Sequence, residues 1–141
     1  MAQDPNQPTY FVAITRLRVR HWRYLPAFYA YTFLSAWQAK RAGSVAVSLL
    51  QDANHTYWTR TVWASEAAMR KFMLAGPHRK AMPHLQNWCD EAAVAHWTQN
   101  GSQPPTWQQA HQHLQQDGRP SKINHPSGAH SKFEIPSPRA K

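Results

Sequence analysis

The sequence predicts an α+β domain in which two helices lie on one face of a four-stranded antiparallel sheet, in the order strand, helix, strand, strand, helix, strand. Three observations predict it. Period-two alternation runs through Phe11–Val19. Apolar positions spaced by three and four follow Pro26 and Ser65. Short runs rich in β-branched and aromatic residues occupy 44–52, 55–63 and 92–97. A period of two sends alternate side chains to opposite sheet faces, whereas three–four spacing gathers them on one helix stripe.

Each element has its own justification. In FVAITRLRV one face carries Phe11, Ala13, Thr15, Leu17 and Val19, and the other turns from Val12 and Ile14 to Arg16 and Arg18, as a half-basic strand would. Pro26 then opens a stretch with Phe28, Tyr29, Thr32, Phe33, Ala36, Trp37 and Lys40, and Gly43 closes it, the expected Pro-first, Gly-last asymmetry of a helix. SVAVSLLQD and HTYWTRTVW flank Ala53-Asn54 and predict a hairpin. Ser65 is placed to cap a helix through Ala68, Met69, Phe72 and Met73, which Gly76-Pro77 breaks before a second piece through Met82, Leu85 and Trp88. AAVAHW, Ala92–Trp97, completes a ferredoxin-like βαββαβ protomer. Its second sheet face, carrying Val12, Ile14, Trp58, Val62 and Val94 or their opposite-parity neighbours, predicts a two-fold homodimer with the sheets face to face.

Composition divides the 141 residues in three. Residues 1–9 read as a flexible arm, 10–98 hold nearly all the core candidates, and 99–141 form a basic Gln/His/Pro/Ser-rich tail expected to be largely disordered. Within the tail, WQQAHQHLQQ leaves room for a short helix, and Trp107 or Phe133 for docking on the body. No apolar run approaches the roughly 18 residues of a membrane helix. The start lacks a secretory pattern and Cys89 stands alone, which together predict a cytoplasmic chain without a disulfide framework. The formal charge is +9. The basic residues lie mostly in scattered pairs, and no helix-turn-helix, zinc-finger or RNA-recognition pattern accompanies them. A solvated face that attracts an anionic substrate is expected, and a nucleic-acid partner is not.

The candidate chemistry is sparse. No Ser-His-acid set, phosphate loop or dinucleotide fingerprint is present. His78 and His84 are six apart with Pro83 between them, and the histidines at 111, 113, 125 and 130 sit in the tail, so no metal site is predicted. His78 follows Pro77 at a helix start, where the macrodipole favours neutral imidazole; it reads equally as a general base or as a solvated residue. Arg16 and Arg60 lie mid-strand among apolar neighbours, so they either point inward to a carboxylate or bound anion or snorkel at the rim. Phe33, Trp37, Trp58, Trp63 and Trp88 read as the wall of an apolar pocket or as plain core, and His96 as part of that pocket or as a structural strand histidine. Cys89, beside Asp90 and Glu91, is not expected to be a nucleophile.

The stretch VWASEAAMRKFMLAGPHRKAM, Val62–Met82, resembles the antibiotic-biosynthesis-monooxygenase-like families, whose ferredoxin-like protomers pair as dimeric α+β barrels. Thr15–Phe28 and Met82–Trp97 are similar to a branch near the spheroidene-monooxygenase-like proteins. The resemblance covers about Tyr10–Trp97. It implies a monooxygenase-like protein for a hydrophobic polyene or polycyclic molecule, with His78 as base and Arg16 or Arg60 holding an anionic oxygen while the substrate itself activates oxygen. The Trp–His pair that frames haem in the haem-degrading relatives corresponds to Phe72 and Met82 and is absent. No cofactor is expected on that basis, and haem ligation would need His78, His84 or His96. Two other readings stay open: a non-catalytic binder of haem or another hydrophobic ligand, and an assembly protein using its basic tail.

Overall fold

The computed structural model describes residues 8–139, the side chains of Pro77 and His78 excepted. Its strands are β1 (Thr9–Val19), β2 (Ala46–Asp52), β3 (Thr56–Trp63), β4 (Cys89–Asn100) and β5 (Arg119–Pro120). Its helices are α1 (Leu25–Arg41), α2 (Glu66–Met73), α3 (Gly76–Trp88), α4 (Trp107–Asp117) and α5 (Gly128–Ser131). The strands form one antiparallel sheet in the order β2-β3-β1-β4-β5. The first four strands with α1 and α2–α3 are the ferredoxin-like βαββαβ arrangement.

Local chemistry sets the element ends. Ser65 Oγ accepts the Ala68 amide and starts α2. Gly43, at φ +91°, lets the chain leave α1 through a left-handed residue that a Cβ disfavours. The hairpin turn puts Asn54 and His55 at φ 58° and 59°, the primed-turn geometry whose twist matches the paired strands. β4 is twice as long as the predicted six-residue strand because it pairs with β1 along nearly its full length, from Cys89 to Asn100.

The structure corrects the expectation of a disordered tail. Residues beyond 100 fold back over the sheet face that carries the even-numbered residues of β1 and β3. Thr106 and Gln109 form a reciprocal capping box at the start of α4. Trp107, Ala110 and Leu114 then recur at spacings of three and four, and with Ile135 they join Val12, Ile14, Trp58, Val62, Ala93 and Ala95 in one buried cluster. The chain's own C-terminal segment covers the sheet face that a second copy was expected to cover. Of the predicted N-terminal arm, residues 1–7 lie outside the described residues, and Thr9 already pairs with Asn100.

Candidate functional site

The opposite sheet face meets α1, α2 and α3 around a cavity of about 290 Å³. Two adjacent rungs of the sheet form its floor. One runs Leu49–Thr59–Thr15–Val94–Arg119 and the next Val47–Thr61–Ala13–His96, each residue directly opposite its neighbour across the ladders. The central positions on β1 and β3 are Ala and Thr, and these short side chains leave the space between sheet and helices unfilled. Tyr31 and Ala36 of α1, Met69 and Phe72 of α2, and Met82 and Leu85 of α3 close the roof and sides. An apolar cavity with a few convergent polar groups is the usual form of a small-molecule site, and this volume sits at the lower edge of the usual ~300–1,000 Å³.

Among the described residues the titratable groups lining it are His96 from β4, Arg119 from β5 and Tyr31 from α1. Burial lowers the His96 pKa from its ordinary 6.5, the charges of Arg119 and Arg70 lower it further, and Glu66 opposes them. His96 is therefore held as neutral imidazole, able to accept a proton. Its ring also packs 5.6 Å from that of Phe11. Ser121 continues the same wall, and its amide is held by the Ala92 carbonyl at 2.9 Å.

Residues 26–122, from α1 through β5, match a domain of unknown function, DUF3291. The chain belongs to the DUF3291 family. No curated protein matches it. Among solved structures it is similar to a variant of SnoaB, a cofactor-independent oxygenase from Streptomyces nogalater, at 18% identity and TM-score 0.52 over 67% of this chain and 94% of that one. It is also similar to a candidate antibiotic biosynthesis monooxygenase from Nitrosomonas europaea, at 16% identity and TM-score 0.57 over 70% and 95% of the two chains. PA3566 from Pseudomonas aeruginosa matches at 13% identity and TM-score 0.58 over 68% and 99%. These likenesses establish the fold of the antibiotic-biosynthesis-monooxygenase-like proteins. Nearly all of each neighbour lies on about two thirds of this chain, so the remaining third is additional to what they share.

The DUF3291 domain sorts the residues expected from sequence onto different surfaces, and strand parity does the sorting. Even-numbered Arg16, Trp58 and Arg60 face the C-terminal segment, away from the cavity. Arg16 donates to Glu91 at 2.8 Å, the inward pairing with a carboxylate anticipated as one of its two readings. Arg60 donates to the Pro105 carbonyl at 2.6 Å and to Ser48 Oγ at 3.0 Å, and stacks over Trp107. Arg60 thus ties down the C-terminal segment and Arg16 pairs within the sheet, and the structure does not bring the two to a cavity base. Trp58 donates its indole N–H to Asp52 at 3.1 Å.

The aromatic wall is corrected in the same way. Phe33 and Trp37 sit on the outer stripe of α1, exposed at 66% and 56%, because the face of α1 turned to the sheet carries Phe28, Ala36 and Ala39 instead. Trp63 lies behind Phe72, ring centroids 5.1 Å apart, and Trp88 stacks with Tyr24 and His84. Of the expected site residues, His96 alone among the described side chains lines the cavity. The His78 side chain lies outside the described residues.

Of the histidines a haem would need, His96 lines the cavity and His84 stacks outside it between Tyr31 and Trp88. Among the described residues no three His, Cys, Asp or Glu side chains are grouped to hold a metal ion, and no helix is long and apolar enough to cross a membrane. Sequence reasoning missed Arg119 and Ser121, which it left in a loose tail. The signal was present in Thr106-x-x-Gln109 followed by Trp107, Ala110 and Leu114, a capping box ahead of a three–four apolar stripe.

Proposed function

We propose that this DUF3291 domain binds a compact hydrophobic molecule between sheet and helices and acts as a monooxygenase-like enzyme in which His96 takes a proton from the bound molecule. The observation that carries the reading is the apolar cavity with the His96 ring on its floor. Its volume favours a compact polycyclic ligand over an extended polyene. His96 takes the role first expected of His78, being the described histidine that reaches the cavity.

The chemistry follows from a base in a water-poor site. Removing a proton from an activated CH₂ leaves a carbanion that donates electrons to dioxygen. A hydroperoxide forms on that carbon and loses water to give a carbonyl, so that CH₂ and O₂ become C=O and H₂O. The protein supplies the base, the orientation and the exclusion of water; the substrate supplies the electrons.

Anthrone, whose oxidation to anthraquinone consumes one dioxygen, tests the reading. The expected result is oxygen uptake with the wild-type protein and loss of roughly 10²-fold or more in rate with His96→Ala. Equal rates for the two proteins sink the role of His96. Saturable anthrone binding without uptake by either supports the alternative, a non-catalytic carrier.

A further inference from the structure

The charged corner of the cavity is built by the C-terminal segment. The chain leaves α4 at Gly118, where a Cβ would run into the Leu114 carbonyl, and passes directly into β5. Arg119 then stands opposite Val94. Directly opposite residues of an antiparallel pair project to the same face, and diagonal ones lie about 7–8 Å apart. The register therefore sends the Arg119 side chain to the face that carries Val94 and His96, and all three line the cavity. Ser121, two residues on, lines it as well.

Among the described residues the Arg119 guanidinium has no hydrogen-bond or ion-pair partner. The nearby carboxylate of Glu66 is engaged by Arg70 at 2.9 Å, and no carboxylate among the described residues lines the cavity. Arginine is the side chain whose fixed fork of donors best matches a planar oxyanion. Arg119 is exposed at the cavity edge, so its guanidinium is open to a ligand's charge, and a net charge of +9 favours the approach of such a ligand.

We propose that the ligand is an apolar acid, with its ring body on the Ala/Thr rungs and its ionised acid group on Arg119, beside the Ser121 hydroxyl. This deepens the cavity reading and rests on it. The C-terminal segment then serves two ends: it covers one face of the sheet and completes the binding site on the other.

Two fluorescent probes with the same aromatic body separate the ideas: 8-anilinonaphthalene-1-sulfonate carries an anionic group, and N-phenyl-1-naphthylamine does not. The wild-type protein is expected to bind the sulfonate more tightly. Arg119→Gln is expected to weaken the sulfonate roughly tenfold and to leave the neutral probe unchanged, with Arg119→Lys recovering part of the loss. Ala36→Phe, or Leu49→Trp should that variant not fold, narrows the cavity and is expected to abolish both. If Arg119→Gln leaves the two affinities in their original ratio while the cavity-narrowing variant removes both, the acid-binding proposal is overturned and the cavity reading stands. If neither probe binds, or both survive in the narrowed cavity, the cavity reading falls and the proposal falls with it.

Discussion

Arg16 of β1 donates to Glu91 of β4 at 2.8 Å, both side chains being 6–7% exposed, and the second oxygen of Glu91 accepts Arg18 at 2.9 Å and Ser127 Oγ at 3.2 Å. One carboxylate thereby joins two strand arginines to the segment that leads into α5. Removing it leaves a buried guanidinium unpaired, so Glu91→Ala is expected to destabilise the protein by about 3 kcal/mol, measured by denaturant unfolding.

The same carboxylate predicts an acid limb of stability. Burial pushes the Glu91 carboxyl up, and Arg16 and Arg18 more than offset that, leaving it below its ordinary 4.5. A depressed acid contributes stability that is fully present above the unfolded value and is lost as pH falls through the folded one. The melting temperature of wild-type protein is expected to fall below pH 4.5 more steeply than that of Glu91→Gln. Parallel acid limbs refute the assignment.

Docking of the C-terminal segment is measurable through Leu114, which is fully buried on the sheet. Leu114→Ala is expected to cost about 3 kcal/mol, with earlier proteolysis beyond residue 100. A loose segment would show a change within about 0.5 kcal/mol, as surface substitutions do. Truncation after Asn100 bares Val12, Ile14, Trp58 and Val62 together and is expected to drive self-association, seen as a mass increase in light scattering.

His96 is expected to titrate below the ordinary imidazole value of 6.5, because burial, and then the Arg119 charge, disfavour its cation. Above pH 6.5 both folded and unfolded histidine are neutral. As pH falls below it the unfolded chain binds the proton first, so stability declines. NMR titration of the His96 ring is expected to show a midpoint that rises in Arg119→Gln and falls in Glu66→Gln. A rate limb set by His96 follows the same midpoint.

Cys89 is fully buried, and burial followed by the Asp90 charge pushes its thiol up to about 12. It is expected to resist alkylation by iodoacetamide at pH 8 in the native state and to react once the chain is denatured. Prompt native labelling refutes this burial.

The α+β class, the order of the first six elements and their punctuation at Pro26, Gly43, Ser65 and Gly76 were legible in the chain, because turn chemistry and hydrophobic period act over a few residues. Which face each strand residue occupies was not legible. Period two separates Ala13 and Thr15 from Ile14 and Arg16 but leaves open which set meets the helices, and that choice alone moved Arg16, Arg60 and Trp58 away from the cavity and left His96 in it. The C-terminal segment was misread for a related reason. Its few apolar residues, Trp107, Ala110, Leu114 and Ile135 among them, cannot offset its chain entropy alone, but they do so against a sheet face already assembled from β1, β3 and β4. Arg119 reaches the cavity only through that docking: the sequence carries the arginine, and the long-range pairing of β5 with β4 decides where its charge stands.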